Sequence, residues 1–548
     1  LDGLFWERQY AAFDRYFREK GLAPYFGDID SLTRMLGDIQ LDHQGRRIQG
    51  MRMQDIGDVY AVNGWEAMPY DNHSGIVDDY RNMNTFGRYT RPAFLAVCPR
   101  TQFTCPNDSL SVDIYAVNEL NFKGAYLLQL KMVSPSGQQS NPLSTRVNLA
   151  GGETFGQLLL NAVDLVTGDE EGLYCINASL YDGNGNVVMD GYDEILVLND
   201  SYKNVCFGKG AFYGSEDSPV RKYYTHVTGC ELPLYQETMD KLDWVIVSRS
   251  MLDEPQPVPV NAVSEDGFTA TYFRYHDIAD PATTVKEPFI NHTFVDGEQP
   301  HSSLPANQSF SVIWNGSIVA PADGVYMLGV KSDRGIRCKI NGNTIADDWG
   351  NQTERTEAKP FNLHKGQKVN IEIQYRQTKT SGYVQLVWTL PGQSEVSPKS
   401  FFDRAKRDGT RVVILDNADS WISDACAAAN VKYNGFYTVG RNWIGGVHFV
   451  KDDPLFDKMP VNVGMGWPYQ ALVRDGDRRV GFEMEGDDMI VGSYRSWAFH
   501  LGSALGKLKC GKGEIIYNTL DISDNLLRDD SSASVARRLF FNLLNAKK

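Results

Sequence analysis

At 548 residues, 42% hydrophobic and 22% charged, the chain has material for three or four packed cores, since a single core seldom grows past roughly 250 residues. A formal net charge of −15, with no basic run carrying interleaved aromatics, argues against a nucleic-acid surface. No apolar run reaches the ~18 residues that span a bilayer, and eight cysteines without a CxxC pair offer no metal-ligand spacing.

The opening LDGLFWERQY carries neither an initiator methionine nor a secretory leader, so the chain reads as part of a longer polypeptide. Two helical patterns follow. In the first, Leu4, Phe5, Ala11, Ala12, Phe13 and Phe17 fall near helical spacing and Gly21 closes the segment. In the second, Asp30 or Ser31 is the expected cap, with Leu32, Met35, Leu36, Ile39 and Leu41 on the buried side. Val59-Tyr60-Ala61-Val62 then reads as a strand covered on both faces. It runs into a polar and aromatic loop holding Trp65, Glu66, Asp71, Asn72 and His73.

Alternation in Ser111–Val117 and Tyr126–Met132, a Ser134–Gly137 turn, and strand signals at Leu173–Leu180 and Glu194–Leu198 predict an immunoglobulin-like β-sandwich. From about 203 the pattern turns to α/β: Val205-Cys206-Phe207 as a short strand, SPVRKYYTHVTG as a helix and Asp243–Val247 as a strand. That unit is too small to bury both faces of its sheet. Its continuation lies at Arg411–Asp416, Glu514–Asn518 and the closing helix Ala533–Leu544, so a β-rich stretch between them reads as an insertion. Cys98 and Cys105 are spaced for a local disulfide or stand as two reduced thiols.

Three resemblances sharpen this reading. Trp65, followed by Asn72-His73-Ser74-Gly75-Ile76-Val77 and Tyr80-Arg81-Asn82, resembles the eighth strand and following loop of glycoside hydrolase family 2. The resemblance implies the end of a (β/α)8 barrel, with Trp65 as a wall of the sugar subsite; the alternative is a buried core aromatic. An indole accepts the apolar C–H face of a sugar, and Glu66, Asp71, Asn72 and His73 offer polar partners for its hydroxyls. Glu66 reads as a hydrogen-bond acceptor or a surface ion pair, not a catalyst.

In the insertion, Trp314-Asn315-Gly316, Pro321–Tyr326, Ser332–Arg337 and Lys339–Asn343 come in the order that resembles the protective-antigen-like (PA-14) lectin domain. Some members of that family bind calcium through paired aspartates. Here Ser332 precedes Asp333, which puts such a site in doubt. Asp347, Asp348 and Trp349 form a loop that either meets sugar, together with Asp333, or is a structural turn. The second half of the α/β domain resembles glutamine-amidotransferase-like domains, but Cys426 lacks flanking glycines and His448 lacks a following x-Glu partner, so the domain reads as non-catalytic.

The expected fold is therefore multidomain α/β plus all-β. It comprises a barrel end (1–90), an immunoglobulin-like sandwich (91–200), a flavodoxin-like α/β domain (201–262 and 395–548) and an inserted lectin-like sandwich (263–394). The implied activity is that of a retaining exo-β-glycosidase whose two carboxyl groups, about 5 to 5.5 Å apart, lie upstream of Leu1, so none is catalytic in this chain. Ser74 stands where glucuronidases of the family place a lysine, which turns the first choice to a neutral sugar such as β-galactose. The expected partners are an oligosaccharide or polysaccharide, the missing amino-terminal part of the same protein and a further copy of the chain, with no cofactor, metal, nucleic acid or membrane. A periplasmic or secreted location is expected. The competing reading is a non-catalytic carbohydrate-binding protein.

Overall fold

A computed structural model describes residues 2–55, 83–199, 202, 205, 207–249, 256–306, 308–350, 354–378, 381–390, 398–438, 448–473, 480–494 and 501–545. It divides into two compact units, 1–249 with 398–548, and 250–397. β-sheet dominates both.

The larger unit opens with α1 (Asp2–Glu19), α2 (Ala23–Phe26), α3 (Ile29–Gln54) and α4 (Met83–Thr90). Gly27, at φ +78, turns the chain into α3, and Asp28 caps it by accepting from the Ser31 backbone N–H at 2.7 Å. The helix thus begins earlier than a cap at Asp30 or Ser31 would allow. The barrel wall expected behind these helices is absent from the described residues, and their apolar faces close elsewhere. Phe13, Phe17, Phe26, Leu32 and Leu36 cluster with Phe449 and Met489 of the α/β domain. Further along α3, Met53 meets Cys98 of the sandwich, and the Arg52 guanidinium lies 5.2 Å from the Phe94 ring centroid. A buried ion pair, Lys20 with Asp487, fastens the end of the first helix to the same α/β domain. Asp487 also accepts from Ser503 and Tyr517 at 2.8 and 2.7 Å. The strand expected at 59–62 and its loop lie outside the described residues.

The sandwich follows as β1 (Ala93–Pro99), β2 (Phe103–Thr104), β3 (Ser109–Asn118), β4 (Gly124–Val133), β5 (Gln139–Leu149), β6 (Gly156–Val166), β7 (Gly172–Tyr181) and β8 (Val187–Val197). β1-β3-β6 form one sheet and β2-β8-β7-β4-β5 the other. Leu95, Val112, Ile114, Leu128, Leu130, Tyr174 and Ile176 fill the space between them. Cys98 and Cys105 are free thiols.

The α/β domain begins with β9 (Gly210–Tyr213), α5 (Pro219–Thr228) and β10 (Trp244–Val247). The strand expected at 205–207 falls instead at Gly210, where an added Cβ would meet the Trp244 ring at 2.0 Å. Only a residue without a side chain lets the two strands approach there.

The second unit carries β11 (Gln256–Pro257), β12 (Phe268–Phe273), β13 (Pro281–Glu287), β14 (Asn291–Phe294), β15 (Phe310–Val319), β16 (Gly324–Ser332), β17 (Gly335–Ile340), β18 (Asn343–Asp348), β19 (Arg355–Leu363), β20 (Lys368–Gln377) and β21 (Gly382–Thr389). One antiparallel sheet runs β13-β12-β15-β20-β17-β18; the other runs β11-β21-β16-β19, with β14 also on β21. Trp314, Tyr326, Ile336, Ile373 and Tyr375 lie in their shared core. The Trp314 indole donates to Glu287 at 2.6 Å and stacks on His292, so the tryptophan of the Trp-Asn-Gly motif is a core residue while Asn315 is exposed. The first and last strands, β11 and β21, are direct neighbours, with Gln256 opposite Trp388.

The chain returns to the α/β domain as α6 (Pro398–Asp408), β22 (Arg411–Ile414), α7 (Ala418–Ala429), β23 (Lys432–Thr438), β24 (His448–Val450), β25 (Val463–Gly464), β26 (Val480–Glu485), β27 (Asp488–Tyr494), β28 (Leu501–Cys510), β29 (Gly513–Asn518) and α8 (Ser534–Leu544). β29, β22, β10 and β9 are parallel, and Leu234 adds a parallel bridge outside β9. Counting that bridge as the second strand, the parallel part runs 2-1-3-4-5. Trp244, Ile246, Val413 and Ile516 pack with α5 and α8, while the alternating Val245, Val247, Val412 and Ile414 are equally buried, as a sheet covered on both faces requires. An antiparallel extension, β28-β27-β24-β25, continues the sheet past β29.

Candidate functional site

Strand register builds the site in the second unit. β17 and β18 meet at Asn341-Gly342, both at positive φ, which suits a tight two-residue hairpin. Ile336, Cys338 and Ile340 alternate into the core. Opposite residues in an antiparallel pair share a face, so Arg337 with its partner Asp347, and Arg376 with its partner Gly335, stand on the outer face. Gly335 is needed there, because a Cβ would meet the Trp349 carbonyl at 2.4 Å and Arg376 Cγ at 2.6 Å. The backbone of Trp349 therefore lies close over the sheet.

Trp349 is half-buried, with the Arg337 guanidinium 4.7 Å and the Arg376 guanidinium 5.6 Å from its ring centroid. Arg337 Nε donates to Asp347 at 2.9 Å. Arg355 lies 3.5 Å from the Asp348 carboxylate, and its Nη2 donates to the carbonyls of Asp348 and Arg334, both at 3.0 Å. That guanidinium joins the Asp348 loop to the Asp333 loop.

The Asp333 carboxylate serves the protein itself. It accepts from the Tyr383 backbone N–H at 2.8 Å and stands 3.3 Å from Arg334. The Ser332 hydroxyl donates to Tyr383 and Arg334 carbonyls, at 3.1 and 3.2 Å. A cationic guanidinium thus lies against the carboxylate that a calcium ion would need, and among the described residues no three His, Cys, Asp or Glu side chains gather to hold a metal.

The structure thus brings Asp347, Asp348 and Trp349 into one surface and ties Asp333 to its edge through Arg355. Trp65, Glu66, Asp71, Asn72 and His73 lie outside the described residues. Sequence reasoning missed the arginines. Their signal was present in the alternation of Gly335-x-Arg337 and Gln374-x-Arg376, but the strand pairing that aligns them spans some forty residues. Chemically the surface offers guanidinium donors, carboxylate acceptors and an indole, groups that bind hydroxylated or charged ligands.

In the α/β domain Cys426 is buried in α7 with its Sγ 3.2 Å from Met484 Sδ. Burial and the nearby Asp487 charge push its thiol up to about 12, far from nucleophilic readiness. Gly208-Lys209-Gly210 borders a cavity of about 420 Å³ lined also by Trp244 and Lys241. It precedes β9 and so lies at the amino ends of the parallel strands, whereas open α/β sheets meet ligands at the carboxyl ends.

The inserted unit is thus an antiparallel two-sheet sandwich with arginines on one outer face. Residues 264–400 match the PA14 domain family, and the inserted unit carries a PA14 domain. Among characterised proteins, the anti-sigma-I factor RsgI3 of Acetivibrio thermocellus is 26% identical over 179 residues, 32% of this chain and 27% of that protein. The match thus spans about a quarter of the relative's length. An anti-sigma factor domain-containing protein from Clostridium clariflavum aligns at 16% identity over 56% of this chain and 88% of its own, with a TM-score of 0.22. The PA14 sugar-binding domain from an RTX adhesin aligns at 20% identity over 24% and 94%, with a TM-score of 0.20. A β-glucosidase from Kluyveromyces marxianus in complex with glucose aligns at 16% over 39% and 27%, with a TM-score of 0.21. TM-scores this low define no shared architecture for the chain as a whole.

Proposed function

We propose that this chain binds carbohydrate through its PA14 domain and forms the carboxyl-terminal part of a secreted or periplasmic β-glycosidase. The PA14 match over 264–400 is the observation that carries the binding half. The surface around Trp349, Arg337, Asp347 and Arg376 supports it by supplying an aromatic ring beside fixed donors and acceptors. The hydrolytic half rests on the motif around Trp65 and its resemblance to glycoside hydrolase family 2. In that reading a retaining exo-β-glycosidase, with β-galactosides as first choice, takes its two glutamates from polypeptide preceding Leu1. The α/β domain, whose 2-1-3-4-5 strand order is that of flavodoxin-like sheets, serves as non-catalytic scaffold.

A glycan array probed with the chain, beside chromogenic β-glycosides offered to an upstream-extended form, tests both halves. Glycan binding with Trp349→Ala weakened at least tenfold is expected, together with β-galactoside hydrolysis by the extended form only. An array on which nothing binds above background would remove the first half, and an inactive extended form the second. A purely carbohydrate-binding, non-catalytic protein is the second reading. It is favoured by the match to RsgI3, which is named for regulation rather than hydrolysis.

A further inference from the structure

The cations around Trp349 differ in their partners. Arg334 is matched by Asp333, Arg337 by Asp347, Arg355 by Asp348 and Lys331 by Glu354, at 3.3, 2.9, 3.5 and 3.3 Å. Arg376 has no carboxylate partner among the described residues, and its Nε is buried without a hydrogen bond. Among the described residues its guanidinium lies 5.6 Å from the Trp349 ring centroid. A guanidinium beside a ring directs its terminal N–H groups outward in its own plane, where they match the two oxygens of a carboxylate. The chain as a whole carries a net charge of −15, so an unmatched cation on this surface runs against the prevailing field.

We propose that the PA14 surface selects glycans bearing a uronic acid, with Arg376 as the carboxylate anchor and Trp349 as the element that orients it. This rests on the reading that the PA14 domain binds carbohydrate. Arg337, neutralised by Asp347, contributes hydroxyl contacts rather than charge recognition.

The test is an array carrying galacturonate- and glucuronate-bearing glycans beside their neutral counterparts, followed by calorimetric titration of the full chain with the best acidic glycan and its methyl ester. At least tenfold tighter binding of the acid is expected, narrowing as salt rises and the Debye length falls from about 10 Å to about 3 Å. Arg376→Gln, with unchanged melting temperature, removes the preference; Arg376→Lys keeps part of it. Equal binding of acid and ester, or a preference that survives Arg376→Gln, overturns the uronate proposal while leaving the carbohydrate reading in place. Absence of binding to every glycan, acidic or neutral, overturns both.

Discussion

Asp333 shows how one residue type reads differently once its neighbours are known. In sequence it stands where some PA-14 relatives pair two aspartates on calcium, with Ser332 in the other place; in space its carboxylate holds the Tyr383 N–H and faces Arg334. Asp333→Ala therefore loosens the loop before β17, and a loss of about 1.5–3 kcal/mol is expected from a charge-assisted backbone hydrogen bond. Melting of the PA14 unit should respond neither to calcium nor to a chelator. A calcium-dependent rise in its midpoint would show that the Arg334 contact gives way to the ion. Trp349 was legible as an exposed-looking aromatic beside two aspartates, but the arginines under it were not. Their pairing depends on register between strands distant in sequence, which no local pattern encodes.

At the scale of elements, boundaries with local causes were readable. α5 begins at Ser218-Pro219 and ends at Gly229 in the left-handed region, the cap chemistry that the sequence displays. The alternating runs that became β3 and β4 were equally plain, whereas β5 and β6 went unseen: β5 opens on polar residues and Pro142, and β6 exposes Leu158 and Val166 and shifts register against β3. The α1–α3 stripe was read correctly as core while its partner was not, since a helix's apolar face does not say what covers it.

The carboxyl end of β22 adds a pH dependence. Asp416, half-buried, accepts from Ser248 and, at 2.8 Å, from Ser523. Withdrawal from water outweighs those bonds and pushes its carboxyl up to about 6, against an ordinary 3.8. The folded chain holds this proton over a range in which the unfolded chain has released it, so this group's contribution to stability falls as pH rises from about 4 to 6 and is level above. The effect is at most about 3 kcal/mol. Asp416→Asn should flatten that slope relative to the wild type in denaturant titrations across the range; parallel pH profiles for the two would place the titration elsewhere.

For the whole molecule, the two units each hold their own hydrophobic cluster. Calorimetry is expected to resolve two unfolding transitions. Replacing 256–390 with a short Gly-Ser linker should abolish the transition of the PA14 unit and all glycan binding, and keep the melting of the remainder within a few degrees. A collapse of both transitions on excision would mean that the host depends on its insert. The interruption itself was visible in the sequence because the α/β pattern stops after one strand pair and resumes some 150 residues later.

The adjacency of β11 and β21 has a longer reach. A guest whose two ends depart side by side asks of its host only one narrow doorway, so selection can trade that guest for another of the same stance without recutting the sheet beneath. Ligand preference and scaffold integrity are thereby free to evolve on separate schedules.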